Sequence, residues 1–411
     1  MKIVHIITRL ILGGAQENTL ITCEQLAKRG HDVTLITGPA LGPEGELFEQ
    51  TKNQKFKTIV IDSLRRQINP LYDIPAYNQL KKLLEEIRPD IVHTHSAKAG
   101  ILGRLAAYKL KTQNSKIEIA TASSRPRNDN NNVFSKFKTP FIVHTIHGLA
   151  FHPYQNRLLN NFYIKAEIFA ARRTDAFISV ADAMTEKTLA AGIGKIGQFT
   201  TAYSAINEDE YLEPIPEQQR NEFRRKYNID ENAVVLVCIA RLFHLKGHQY
   251  IIASAKELAS RFDNCIWLFV GDGLLKDELQ KQIAEASLTE KFRFAGLLPT
   301  SQMPLVLQSS DILVHCSLRE GLARVLPQAM LCAKAVISFD IDGAKEVVNE
   351  NTGRLIEPEN IEHLTSACAE LIDDKDLRDQ LGQNGRKSVR EKFAPEVMVD
   401  TIERVYKTAD N

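Results

Sequence analysis

Residues Asp311-Ile-Leu-Val-His-Cys-Ser-Leu-Arg-Glu-Gly-Leu-Ala-Arg-Val-Leu-Pro-Gln-Ala-Met330 pass from an apolar run of strand length, through a turn at 317–321, into a helical pattern from Val325 onward. A buried strand, a tight turn and a helix make the repeating unit of a parallel sheet covered by helices. The first turn of such a helix carries unpaired backbone N–H groups and the positive end of the helix dipole, which together suit a phosphate. Glu320 does not suit a phosphate; it suits hydroxyls, so the stretch fits a sugar attached to a diphosphate. An ordinary strand-to-helix corner with a solvated glutamate fits the same residues.

The same alternation runs along the whole chain. Strands are expected at 2–7, 32–37, 58–61, 91–94, 141–145, 176–180 and 199–202, then at 234–239, 266–270, 292–295, 312–314 and 335–338, with helices such as 15–29 and 76–87 between them. Both halves therefore read as doubly wound α/β domains. The 411 residues suit two domains, with a cleft between them. The polar, proline-containing stretch 205–219 reads as their boundary and as a hinge. Residues 112–139 lack apolar periodicity and read as a long surface loop.

Hydrophobic content of 44% and charged content of 25% are those of a globular protein, and no apolar run reaches membrane-spanning length. The start, Met-Lys-Ile-Val-His-Ile-Ile, reads as a strand and not as a secretory signal. Six cysteines scattered through apolar elements imply neither a disulfide framework nor zinc, and point to the cytoplasm. Net charge is +1, but residues 1–205 hold 27 Lys and Arg against 17 Asp and Glu, and residues 206–411 hold 25 against 34. That asymmetry suits contact of the first half with an anionic membrane surface or lipid phosphate, or attraction between the halves. The basic residues lack interleaved aromatics or a reading module, which argues against nucleic acid as a partner.

Arg241 and Lys246 follow the strand at 234–239 and emerge where open α/β sheets bind ligands. A planar fork and a point charge together suit a diphosphate. Gly13-Gly14 after the first strand leaves room for a ligand against the backbone. Neither it nor Gly271-Asp-Gly completes a dinucleotide fingerprint, so a dehydrogenase reading is poor. His147, beside Gly148, can hydrogen-bond a sugar hydroxyl. His144, inside its strand, reads as a packed residue. Of His93 and His95, the latter, followed by Ser96 and Lys98, has the better reach toward a ligand. No His, Asp and Glu grouping has a metal-ligand spacing, and no nucleophile elbow occurs.

Taken together, Gly13-Gly14-Ala-Gln, His144-Thr-Ile-His-Gly, Arg241 with Lys246-Gly, Gly271-Asp-Gly and Arg319-Glu-Gly-Leu resemble the retaining glycosyltransferases of family 4, over nearly the whole chain. The resemblance implies the GT-B fold: two doubly wound Rossmann-like domains facing a cleft. It implies an acceptor domain at 1–205, a nucleotide-sugar donor domain at 206–393, and a C-terminal helix at 394–408 packing back on the first domain.

It makes His147 the active-site histidine, Glu320 a contact to the donor sugar, and Arg241 with Lys246 the diphosphate clamp. Gly14 and the backbone of Gly321, Leu322 and Ala323 assist at the donor, while His95 and Lys98 are the weaker acceptor-side candidates. Gln328 stands where the family usually has a glutamate for the ribose hydroxyls, and that change implies weaker nucleotide binding by roughly 1 kcal/mol. The implied reaction moves a hexose-type unit from a nucleotide diphosphate sugar to a glycan or lipid-linked acceptor in cell-surface polysaccharide or lipopolysaccharide synthesis. It proceeds with retention, without metal or other cofactor, in the cytoplasm or at the inner face of the plasma membrane. A nucleotide-sugar epimerase and a non-catalytic sugar-binding protein of the same fold are the alternatives.

Overall fold

The computed structural model describes residues 1–41, 45–123 and 139–410. The chain forms two compact units, Met1–Tyr203 with Met398–Asn411, and Ser204–Val397.

In the first unit the strands are β1 (Lys2–Ile7), β2 (Asp32–Thr37), β3 (Lys57–Val60), β4 (Ile91–His95), β5 (Phe141–Ile146), β6 (Ala176–Ser179) and β7 (Phe199–Thr201). They form one parallel sheet in the order β3-β2-β1-β4-β5-β6-β7. The helices are α1 (Gly14–Lys28), α2 (Pro70–Ile87), α3 (Ala97–Ser123), α4 (Arg157–Ala171) and α5 (Asp182–Ala190). Val4, Ile6, Ile36, Val92 and Ile142 of the strands pack against Leu80, Leu84, Ala106 and Ala107 of the helices. α2 begins earlier than the pattern suggests: Asn69 caps it by accepting from the Leu71 N–H at 3.0 Å, and Pro70 takes the first position, where its missing N–H costs nothing.

Residues 112–123, expected to begin a loop, continue α3. The segment has no Gly or Pro, and Ser115 and Thr112 turn their hydroxyls back to the Lys111 and Lys109 carbonyls. Its polarity did not prevent a helix. The rest of the expected loop, through 138, lies outside the described residues.

The second unit contains β8 (Val234–Ile239), β9 (Cys265–Val270), β10 (Phe292–Gly296), β11 (Ile312–His315), β12 (Ala335–Phe339) and β13 (Gly353–Ile356), again parallel, in the order β10-β9-β8-β11-β12-β13. Its helices are α6 (Glu208–Leu212), α7 (Glu217–Lys226), α8 (His248–Leu258), α9 (Lys276–Glu285), α10 (Met303–Gln308), α11 (Val325–Leu331), α12 (Ile361–Asp373) and α13 (Lys375–Val389). The core centres on Trp267, Phe269, Phe292, Phe339, Leu258 and Leu371. β13 was not expected, because it is a four-residue edge strand with only two apolar side chains. α14 (Pro395–Lys407) starts in this unit and from Met398 belongs to the first. There Arg29 holds Asp400 at 2.6 Å and Glu403 at 3.0 Å.

Candidate functional site

In the second sheet β8 lies between β9 and β11, so the chain leaves β8 and β11 in opposite directions and their loops part at the carboxyl ends. Such a switch point is where open α/β sheets leave a crevice. The loop after β8 is fixed on both sides. Leu242 donates to the Asp272 carbonyl at 3.0 Å and accepts from the Leu275 N–H at 3.0 Å, while the Leu318 N–H reaches the Leu245 carbonyl at 2.8 Å. The Gly-Asp-Gly motif belongs to this packing: a Cβ on Gly271 would lie 2.1 Å from the Ala240 carbonyl oxygen. Gly247 combines φ of +75° with a would-be Cβ only 1.9 Å from the Cys316 carbonyl oxygen, so only glycine lets this loop rest on the end of β11.

The result is contact between two residues 74 positions apart: the Lys246 ammonium pairs with Glu320 Oε1. Their side chains are 19% and 20% exposed. The Ser317 hydroxyl donates to the same oxygen at 2.7 Å, and His315 Nε2 stands 3.5 Å from it. The Glu320 N–H donates to Asp342 at 2.7 Å, which fixes the backbone of the turn. Burial opposes ionisation of Glu320, but Lys246 and then His315 outweigh it and hold the carboxyl well below the usual range. His248, at the first position of α8, is 1% exposed with both ring nitrogens unpartnered. Burial, then Lys246 and His315, push it down to about 4, so it is neutral.

The structure thus joins Lys246 and Glu320, which sequence reading gave separate roles. Arg241 lies exposed on the same loop, its guanidinium 5.0 Å from the Phe243 ring centroid. Gly321, Leu322 and Ala323 are buried and lead into α11, on which Gln328 is half-buried. Ser317, His315, His248 and Asp342 were not anticipated. The first two flank the motif in sequence, and a polar residue ending an apolar strand was the available signal for them.

The first unit has its own switch point, with β1 between β2 and β4. β1 pairs with β4 so that His5 lies opposite His93, and the alternation of β4 puts His95 on the same face. His5, His93 and His95 are buried, while His147, just past β5, is half-buried. His5 Nδ1 lies 2.9 Å from His95 Nε2, and His95 Nδ1 lies 3.1 Å from His147 Nε2. His93 stacks on His95 at 4.4 Å between centroids and is held by Tyr406 at 2.5 Å and Thr145 at 2.6 Å. Burial pushes His5 down to about 3; burial and the neighbouring imidazoles hold His93 and His95 well below the ordinary value.

Potential ligand atoms of His5, His93 and His95 lie within 4.8 Å of one another, the group among the described residues with a metal-like arrangement. No local spacing could show it, because it is assembled by strand pairing. His144 is packed, with Thr94 2.9 Å from its Nδ1 and Phe177 edge-on. Lys98 pairs with Asp73 of α2 and donates to the Gln67 carbonyl. Gly14 opens α1 in this unit. A pocket beside His147 is lined by Ser96, His144, Gly148, Glu167 and Phe177.

The described "Glycosyl transferases group 1" family model matches residues 219–388, and the "Glycosyl transferase 4-like domain" model matches residues 13–197. The chain is 28% identical over 99% of its length, and 96% of the relative's, to the Escherichia coli UDP-Gal:alpha-D-GlcNAc-diphosphoundecaprenol alpha-1,3-galactosyltransferase. It is 23% identical, over 93% of its length and 91% of the relative's, to the Bacillus anthracis N-acetyl-alpha-D-glucosaminyl L-malate synthase. Among solved structures, Anabaena HepE in complex with UDP-glucose superposes with a TM-score of 0.78 at 18% identity, over 99% of this chain and 100% of that one. The two Rossmann-like units have the GT-B fold.

Proposed function

We propose, from the premise that this chain belongs to the group 1 glycosyltransferases, that it transfers a hexose-type unit from a nucleoside diphosphate sugar to a lipid-linked glycan acceptor, with retention and without a metal. Glycosyl transfer is the function of the family. The donor class, acceptor, stereochemistry and metal independence are the proposal. The observation that carries it is the assembly of Lys246, Glu320 and Ser317 at the carboxyl-end switch point of the second sheet. Lys246, with Arg241 on the same loop, offers the positive charge that a departing diphosphate needs, while Glu320 offers acceptor oxygens to sugar hydroxyls.

In the proposed step the acceptor hydroxyl oxygen bonds to the anomeric carbon, the bond from that carbon to the phosphate oxygen breaks, and the acceptor's proton passes to the departing phosphate on the same face. Lys246 exchanges Glu320 for the diphosphate as the donor enters. Positioning and charge neutralisation supply the catalysis.

The acceptor class is supported by the printed activity of the 28% relative, which acts on a diphosphoundecaprenol-linked sugar. Placement at the cytoplasmic face of a membrane, in polysaccharide or lipopolysaccharide synthesis, is supported by two features. One is the basic excess of residues 1–205. The other is an exposed strip on α4, with Leu158 80%, Phe162 54% and Phe169 48% accessible beside Arg157, Lys165 and Arg172. Among the described residues no helix is long and apolar enough to cross a membrane.

The test is release of nucleoside diphosphate from a panel of nucleotide sugars, with chelator present and a diphosphate-lipid-linked sugar as acceptor. Turnover of one donor by the wild type, lost in Lys246→Ala and Glu320→Gln, is expected. Absence of both turnover and nucleotide binding by thermal shift would sink the proposal.

A further inference from the structure

Arg104 is a charged side chain with 0% exposure, and it pairs with Glu167, whose side chain is 12% exposed. Each stands where an apolar residue is expected. Arg104 follows Gly100 and Gly103 on the buried face of α3, and Glu167 lies between Ile164 and Ala171 on the inward stripe of α4. Gly100 makes the room: a Cβ there would lie 2.6 Å from His144 Cε1 and 3.5 Å from Arg104 Nη2. An apolar pair of similar volume would hold the two helices together as well or better, so stability does not account for the charges.

The pair is also incomplete. Arg104 Nε donates to the Gly100 carbonyl at 2.8 Å and Nη2 donates to Glu167 Oε2 at 2.6 Å. Among the described residues, Arg104 Nη1 is buried without an acceptor, and Glu167 Oε1 has no donor. A closed structural pair would be bidentate. Glu167 lines the pocket beside His147, together with Thr145, Phe151, Thr188 and Ile193. The first unit therefore leaves a charged acceptor at a pocket wall, fixed from behind by a guanidinium.

We propose that this pocket receives a sugar ring of the acceptor and that Glu167 Oε1 accepts from one of its hydroxyls, with Arg104 as the positioning residue behind it. The proposal rests on the transferase reading and deepens it by naming a residue that selects the acceptor. Arg104 already balances the charge of Glu167, so the pocket gains little from an ammonium, and the carboxylate at its wall disfavours an anion. An uncharged hydroxyl suits it, and its bond to a carboxylate is of the stronger, charge-assisted kind.

Glu167→Gln separates this role from a structural one. Arg104 still needs an acceptor, so the amide turns its oxygen to Nη2 and presents its NH₂ to the pocket; an acceptor becomes a donor with no change of shape. The test is NMR of the full chain carrying ¹³C-methyl isoleucine, with Ile146→Val and Ile193→Val assigning the two isoleucines of the pocket wall. The probes are the methyl α-glycosides of glucose, galactose, mannose, N-acetylglucosamine and N-acetylgalactosamine, with methyl α-glucosaminide as the cationic control. At least one neutral glycoside is expected to shift both signals. Its dissociation constant is expected to rise about 10–100-fold in Glu167→Gln, the scale of a lost hydrogen bond to a charged group. No shift with any probe, equal affinity in Glu167→Gln, or binding confined to the glucosaminide would overturn the proposal. The wild-type titration decides even where Glu167→Gln does not fold. Because it needs no nucleotide sugar, a chain that binds a glycoside in this pocket but turns over no donor would sink the transferase reading and leave Glu167 standing as a sugar-binding residue.

Discussion

Removing Lys246 should cost stability as well as turnover, and Glu320 should be the reason. At contact distance and an effective dielectric of about 20, two unit charges attract by on the order of 4 kcal/mol. The side chains here are 19% and 20% exposed, so solvent screening and side-chain entropy reduce the net coupling to about 1–3 kcal/mol. Lys246→Ala leaves the Glu320 carboxylate with only Ser317 and His315 beside it, and a loss of about 2 kcal/mol follows. In a domain of this size that is about 4–8 °C in the melting of the second unit. Lys246→Ala/Glu320→Gln removes both charges and should recover most of the loss. The assay is a double-mutant cycle by urea denaturation, followed through Trp267, which is the chain's single tryptophan and lies in the second unit's core. Strictly additive single losses would refute the argument, because they would mean the ion pair carries no coupling. In the donor assay Lys246→Ala should lose about 10²–10³-fold in turnover, the scale of one missing electrostatic contact at a departing anion, and the double substitution should not restore it.

Gly247→Ala places a Cβ against the Cys316 carbonyl at positive φ and should cost at least about 2 kcal/mol and displace Lys246, seen as a lower melting temperature together with weakened nucleotide binding. Gln328→Glu should tighten nucleoside diphosphate binding about 5–10-fold by calorimetry if Gln328 meets the ribose, since a charged acceptor adds roughly 1 kcal/mol to such a bond. The buried histidines of the first unit set an acid limit. Their native pKa values lie below the unfolded value near 6.5, so their stabilisation is complete above about pH 6.5 and is lost as pH falls, with His5 contributing down to about 3. Unfolding free energies from urea titrations should fall by up to about 1.4 kcal/mol per pH unit per histidine between about pH 6.5 and 5, and His5→Leu should flatten that slope.

The strands were legible as short stretches rich in apolar and β-branched residues between helical patterns, because a parallel sheet buries both faces and imposes no alternation. Gly353–Ile356 escapes it, since only Leu355 and Ile356 are apolar and the strand forms by pairing with β12 at the sheet edge. Polarity misled at 112–123, where a helix of mostly polar residues reads like a loop. The individual cations, the glutamate and His147 stood out as polar residues at strand ends. Their partners did not. Lys246 meets Glu320 only because β8 and β11 are neighbours in the sheet, and His5 meets His95 only because β1 and β4 are. Both pairings skip strands in chain order, and no local pattern encodes them.

The two switch points differ in electrostatics, and the difference suits the separate recognition tasks proposed for the two halves. The second unit fixes a full positive charge beside a full negative one, neither deeply buried, so a diphosphate can replace the carboxylate as the lysine's partner without leaving a charge isolated in the interior. The first unit gathers His5, His93, His95, His144 and His147 near one sheet end, where burial keeps the inner rings uncharged. Charged rings so close together would repel one another, and each would carry the desolvation cost of a buried cation. Neutral rings keep only their directional donors and acceptors, which is what selecting among hydroxyl groups requires. The cluster therefore gives up acid tolerance in exchange for uncharged, directional hydrogen-bonding groups at this end of the sheet.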